Sequence, residues 1–229
     1  MEPTYIIATS KPWHLDGFMK LKSSSSSNWD LVKNTQELAD AFHSTSPRYI
    51  FFLHWNWIVP NEIVNESECV CFHMTDVPYG RGGSPLQNLI IRGHKNTKLT
   101  ALRMTDELDA GPVYYKESLS LDGSAEEIYI KAGELCFELV DKIVSNKPTP
   151  IEQTGNVVKF KRRKPYQSEV LEPTTMEGFY DFIRMLDAEG YPKAFINHNS
   201  FKIEFSQAKL KEGMLEAKVC ISLRRNDNE

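Results

Sequence analysis

Apolar and polar positions fall into short blocks along the chain, and their periods predict strands and helices in turn. Tyr5-Ile6-Ile7-Ala8 is an apolar run ending at Thr9-Ser10, which predicts a first strand. Leu31, Leu38 and Phe42 stand at helical spacing and predict a helix over residues 31–42. Tyr49-Ile50-Phe51-Phe52-Leu53 is apolar throughout, as a parallel strand covered on both faces would be, and it runs into His54-Trp55-Asn56-Trp57. Pro60 suits the first turn of a short helix over 60–64. Residues 69–72 read as the next buried strand. Ser84-Pro85 then opens a helix that reaches Ile91 and is closed by Gly93. Residues 99–104 and 113–119 read as further strands. Ser124-Ala125-Glu126-Glu127 is a capping box, and Ile128, Ala132, Leu135, Leu139 and Ile143 form the apolar stripe of the helix behind it, which Pro148 ends.

A second piece begins near Pro165. Thr175 can cap a helix over 175–186, and residues 194–196, 201–205 and 217–223 read as strands. Phe201, Ile203 and Phe205 alternate and are expected to face one core. The succession of strand, helix and strand implies an α/β fold, a sheet with helices on both faces, followed by a small α+β element. The expected domains are residues 1–164 and 165–229. The five serines at 23–27 read as a surface loop, with a mobile flap as the functional alternative.

Composition narrows this picture. A chain of 229 residues with 41% apolar content suits one full core with a small appendage. The net charge of −4 implies no broad basic field, so no nucleic-acid partner is expected. No apolar run is long enough to cross a membrane and no signal peptide is visible, which makes a cytoplasmic protein the expectation. The four cysteines, Cys69, Cys71, Cys136 and Cys220, form no metal or disulfide pattern and are expected to be buried small apolar residues. One basic cluster stands out, Lys159-Phe160-Lys161-Arg162-Arg163-Lys164. It reads either as a strand edge that resists pairing or as a clamp for a diphosphate, with Lys164 as a substrate contact.

The chemistry concentrates in residues 73–112, HMTDVPYGRGGSPLQNLIIRGHKNTKLTALRMTDELDAGP. A histidine at a strand end and an aspartate at a tight turn are the parts needed to manage a proton at a carbonyl. His73, Pro78, Arg81-Gly82, Gly93, Thr97, Thr100 and Leu108-Asp109-Ala110-Gly111-Pro112 follow one another in the order and spacing of a known pattern. In this the chain resembles the folate-dependent formyltransferases, whose motif is N-x-H-x-S-x-L-P-x-x-R-G followed by a helix, a threonine-rich strand and L-D-x-G-P. The match is clear over about residues 50–165.

The resemblance implies a Rossmann-like formyltransferase sheet and N10-formyltetrahydrofolate as cosubstrate, with no metal. It implies catalytic roles for His73 and Asp109, folate contacts from Trp57, Ile58, Asp106 and Leu108, and acceptor contacts from His54, Tyr79 and Arg81. Arg81 has an equal structural reading, as a brace for loop carbonyls. The motif's asparagine is replaced here by Cys71, a weak donor, and losing an oxyanion donor costs about 3–4 kcal/mol at the transition state. Asn56, at the end of the preceding strand, is the candidate substitute. Small size, low net charge and the basic run favour a nucleotide-linked amino sugar as acceptor, most like the UDP-4-amino sugars of pseudaminic-acid-type pathways. A homodimer is kept open. Glycinamide ribonucleotide formylation and a folate-binding homologue with impaired catalysis are the alternatives.

Overall fold

The computed structural model describes residues 3–171 and 175–224. These fall into two compact units, one of Met1–Gly82, Thr97–Leu119 and Ile130–Lys159, the other of Gly83–Asn96, Ser120–Tyr129 and Phe160–Glu229.

The first unit is built on a six-stranded sheet. Its strands are β1 (Thr4–Ala8), β2 (Asn28–Val32), β3 (Tyr49–Phe52), β4 (Glu68–His73), β6 (Asn96–Arg103) and β7 (Val113–Ser120), in the spatial order β2-β1-β3-β4-β6-β7. The first four run parallel, and β6 is antiparallel to β4, with His73 paired to Thr100. A further strand, β5 (Tyr79–Gly82), pairs with β8 (Val158–Phe160) outside this sheet. The fold is the expected α/β type, with a mixed sheet.

Side-chain alternation explains the layers. Ile6, Ala8, Ile50 and Phe52 point to one face, where they pack with Leu38 and Phe42 of α2 (Thr35–Thr45) and Ile63 of α3 (Asn61–Glu66). Leu38 and Phe42 are buried, and each such side chain stabilises the fold by about 1.5–3 kcal/mol. The alternate positions, Tyr5, Tyr49 and Phe51, form an aromatic layer with Trp29. Helix α1 (Leu15–Ser24) approaches helix α5 (Ala125–Asn146) at Gly17, where a Cβ would stand 2.4 Å from the Phe137 ring.

Two expectations fail before residue 49. Ser23 and Ser24 end a helix, and the stretch expected to be loop or helix start holds β2. The physical reason is local. Ser23 and Ser24 turn their hydroxyls back onto the Lys20 and Leu21 carbonyls, so a serine run closes a helix. Helix α2 starts at Thr35, because Asn34 accepts the Glu37 N–H and Glu37 accepts from Lys33 N in return. The capping box at Ser124 forms as expected, with Ser124 N donating to Glu127 Oε2 and Glu127 N to Ser124 Oγ.

The second unit holds α4 (Pro85–Ile91), α6 (Met176–Arg184) and a three-stranded antiparallel sheet of order β11-β10-β9. Its strands are β9 (Ala194–His198), β10 (Phe201–Lys211) and β11 (Met214–Leu223). Thr175 caps α6 by accepting the Gly178 N–H. Phe205 meets Phe179 edge-on, whereas Phe201 is largely exposed, so the alternating run does not face one core along its whole length. Arg184 is buried and satisfied by Asp181 and the carbonyls of Leu121 and Gly123. Of the cysteines, Cys69 and Cys136 are buried, Cys71 is half-buried and Cys220 is exposed on edge strand β11. Among the described residues no helix is long and apolar enough to cross a membrane.

Candidate active site

His73 ends β4 and is buried. Its Nε2 lies 2.8 Å from the Gly80 carbonyl. A carbonyl oxygen only accepts, so Nε2 carries the proton and Nδ1 is the nitrogen left able to accept one. Nδ1 faces Asp109 Oδ2 at 3.6 Å. The same Oδ2 accepts the Gly82 N–H at 2.8 Å, which fixes the carboxylate against the arginine loop.

Threonines hold the loop that positions the ring. Thr100 Oγ1 donates to the Thr75 carbonyl at 2.7 Å, and Thr75 Oγ1 donates to Gly80 O at 3.3 Å. Thr97 donates to Met74 O, and Lys116 ties Asp76 and the Val77 carbonyl. The Val77–Pro78 peptide within this loop is cis. Asp109 sits in the left-handed region at φ 54, which asparagine and aspartate tolerate better than most side chains. Behind it, a Cβ on Gly111 would stand 1.9 Å from the Arg103 carbonyl, so only glycine lets the turn close there.

Cys71 is half-buried. Burial pushes its thiol far up, and the charge of Asp109 adds to the effect. The group therefore stays S–H and remains a weak donor beside the carboxylate. Asn56, expected to replace the missing amide, is exposed in the segment after β3. The groups recorded around His73 and Asp109 are Gly80, Gly82, Gln153 and Cys71 instead.

Two of the expected acceptor contacts have internal partners. Arg81 is buried, and its Nε and Nη2 both donate to Gln153 Oε1, at 3.0 and 2.8 Å, with Glu107 3.8 Å from Nη1. Two guanidinium nitrogens are thus engaged by Gln153. His54 faces another histidine: its Nδ1 lies 3.2 Å from His14 Nε2, the rings stack at 5.1 Å, and His14 Nδ1 meets Thr9 Oγ1 at 2.7 Å. Burial pulls His14 down to about 4 and His54 to about 3, so both rings are neutral near pH 7.

The expected folate contacts lie on open ground. Ile58 is 93% exposed, Leu108 69% and Trp57 45%, and Asp106 is exposed. Tyr79 is half-buried on β5, and Lys164 is exposed in the second unit. Glu107 joins the site unforeseen, held 3.1 Å from Lys159 Nζ. Gln153 was also missed: it lies in a stretch without periodicity, and only its long-range contacts mark it. Among the described residues no group of three or more His, Cys, Asp or Glu is placed to hold a metal ion.

Comparison with known proteins adds to this geometry. A sequence model of the family described as "Methionyl-tRNA formyltransferase, C-terminal domain" matches residues 165–222. The solved methionyl-tRNA formyltransferase from Clostridium thermocellum is 43% identical, with a TM-score of 0.94, covering 97% of this chain and 100% of that one. The methionyl-tRNA formyltransferase of Mycoplasma capricolum subsp. capricolum is 28% identical over 158 residues, which are 65% of this chain and 50% of that protein. That of Rickettsia massiliae is 32% identical over 117 residues, 48% of this chain and 39% of that protein. The chain thus spans half or less of the length of these curated relatives. These findings overturn the expected nucleotide-sugar acceptor, its glycinamide ribonucleotide alternative and the expected lack of a nucleic-acid partner, since the relatives are named for methionyl-tRNA. Low net charge and the basic run at 159–164 both entered that expectation, and a run of five basic residues in six does not by itself tell a diphosphate from a longer phosphate backbone.

Proposed function

The chain belongs to the formyltransferase family, and on that premise we propose that it is an N-formyltransferase acting on methionyl-tRNA, with His73 and Asp109 as its catalytic pair. N10-formyltetrahydrofolate supplies the one-carbon acyl group. The observation that carries this reading is the fixed imidazole, bound through Nε2 to Gly80 O with Nδ1 turned to a carboxylate.

The chemistry asked of these residues is proton transfer at an acyl centre. As the amine nitrogen bonds the formyl carbon, it must lose a proton, and His73 Nδ1 takes it. Asp109 stabilises the imidazolium, and the same proton returns to N10 as the C–N10 bond breaks. General acid–base help of this kind contributes about 10²- to 10⁴-fold.

Trp57, Ile58, Asp106 and Leu108 are the proposed folate contacts, supported by their exposure on the two loops. The basic run that includes Lys159, Lys161 and Lys164 is the proposed contact for acceptor phosphates, and residues 165–229 are proposed as an accessory domain, supported by the family match there. The test is transfer of isotopically labelled formyl from N10-formyltetrahydrofolate to charged initiator tRNA. Label should appear on methionyl-tRNA and stay off free methionine; no transfer to methionyl-tRNA would end the proposal.

A further inference from the structure

We propose that Gln153 is a positioning residue of the transfer site, a single carboxamide that sets where the Asp109 carboxylate meets His73. The inference deepens the reading above and rests on it for its kinetic arm.

Gln153 uses all of its hydrogen-bonding capacity on two loops. Its Nε2 donates to the carbonyls of Asp109 and Gly111, at 2.9 and 2.8 Å. Its Oε1 accepts both Nε and Nη2 of Arg81. Two donors and two acceptor sites are thereby filled. The partners are 42–44 and 72 positions away in sequence, so the amide closes contacts that no local turn chemistry would supply.

The turn needs this tie. Asp109 holds a left-handed backbone, and such residues persist when their surroundings over-determine them. The Asp109 and Gly111 carbonyls are both satisfied by the one Gln153 nitrogen, which a carboxamide can do because that nitrogen carries two N–H groups. On the other side, Arg81 lies one residue before Gly82, whose N–H grips Asp109 Oδ2. Gln153 therefore fixes the backbone of the aspartate and the loop that grips its carboxylate at once. A glutamate in its place keeps the acceptor for Arg81 and loses both donors. A lysine in place of Arg81 loses the fork that fills Oε1 from two directions.

The test is a double-mutant cycle in the full chain, with Gln153→Ala and Asp109→Asn measured alone and together. Gln153→Ala should lower kcat by about 10- to 100-fold with KM for the formyl donor nearly unchanged, as a misplaced catalytic group does. In the Asp109→Asn background the same change should cost less than about twofold. Gln153→Glu should behave as Gln153→Ala, and Arg81→Lys should fall between. Fully additive losses, or wild-type rates in Gln153→Glu, would overturn the proposal.

A second readout needs no acceptor. Hydrogen exchange at the Gly82 amide should speed by at least about tenfold in Gln153→Ala, while the amides of Ile50 and Phe51 keep their protection. An unchanged Gly82 amide, or equal acceleration everywhere, would contradict a positioning role. If the wild-type protein moves no formyl to methionyl-tRNA, the proposed function fails and the exchange measurement alone decides on Gln153.

Discussion

Two histidine sites in the same unit contrast in almost every physical respect. His73 has a carbonyl on one nitrogen and a carboxylate facing the other. His14 and His54 face each other, with Thr9 at the far end and aromatic rings of Trp13 and Phe137 around them. The first arrangement fixes one proton and leaves the other nitrogen beside a stabilising anion, which is what a proton carrier requires. The second shares hydrogen bonds among neutral groups and penalises any added charge, which suits a structural role better than proton transfer near neutral pH. The residue type is the same, and the partners decide the role.

That contrast is broken most severely at Asp109. Asp109→Asn keeps the size of the side chain and removes the anion, and kcat for formyl transfer should fall by about 10²- to 10⁴-fold in a steady-state assay. A similar fall from His54→Asn in a well-folded variant would erase the distinction.

The structural pair should show itself in acid. The folded values of His14 and His54, about 4 and about 3, lie below the ordinary 6.5. The unfolded chain therefore takes up protons that the folded chain refuses, and stability is full above pH 6.5 and declines as the pH falls toward 4. The slope is up to about 1.4 kcal/mol per pH unit for each ring. Urea unfolding at stepped pH measures it, and His14→Gln should flatten the profile.

Gly111→Ala should come next in size. Its Cβ would overlap the Arg103 carbonyl, so the turn must shift at a cost of about 1–3 kcal/mol, read by urea unfolding, with a loss of kcat alongside. Cys71→Asn should have the smallest effect and the opposite sign. Supplying the motif's amide beside Asp109 should raise kcat by about tenfold.

How much of this was legible in the sequence differs by residue. The parallel strands at Tyr49–Phe52 and Glu68–His73 were, because strands covered on both faces are written as unbroken apolar runs. The pairing of His73 with Asp109 was legible from the motif around them. Helix α1 and strand β2 were not, since only Phe18 and Leu21 are buried in the one and the other lies at the edge of the sheet. Nor were the partners of Arg81, His54 and Gln153, which lie 40 or more positions away. The acceptor was misread from size, net charge and the run at 159–164, because a basic run fits a diphosphate and a phosphate backbone alike. Cys220 was misread from residue type, because an edge strand can leave an apolar residue in solvent.

The most direct measurement on the central claim is single-turnover formyl transfer to methionyl-tRNA by His73→Ala, with tetrahydrofolate binding measured on the same sample. The account predicts folate affinity within about threefold of wild type and transfer slowed by at least about 10²-fold. Transfer at close to the wild-type rate would contradict it.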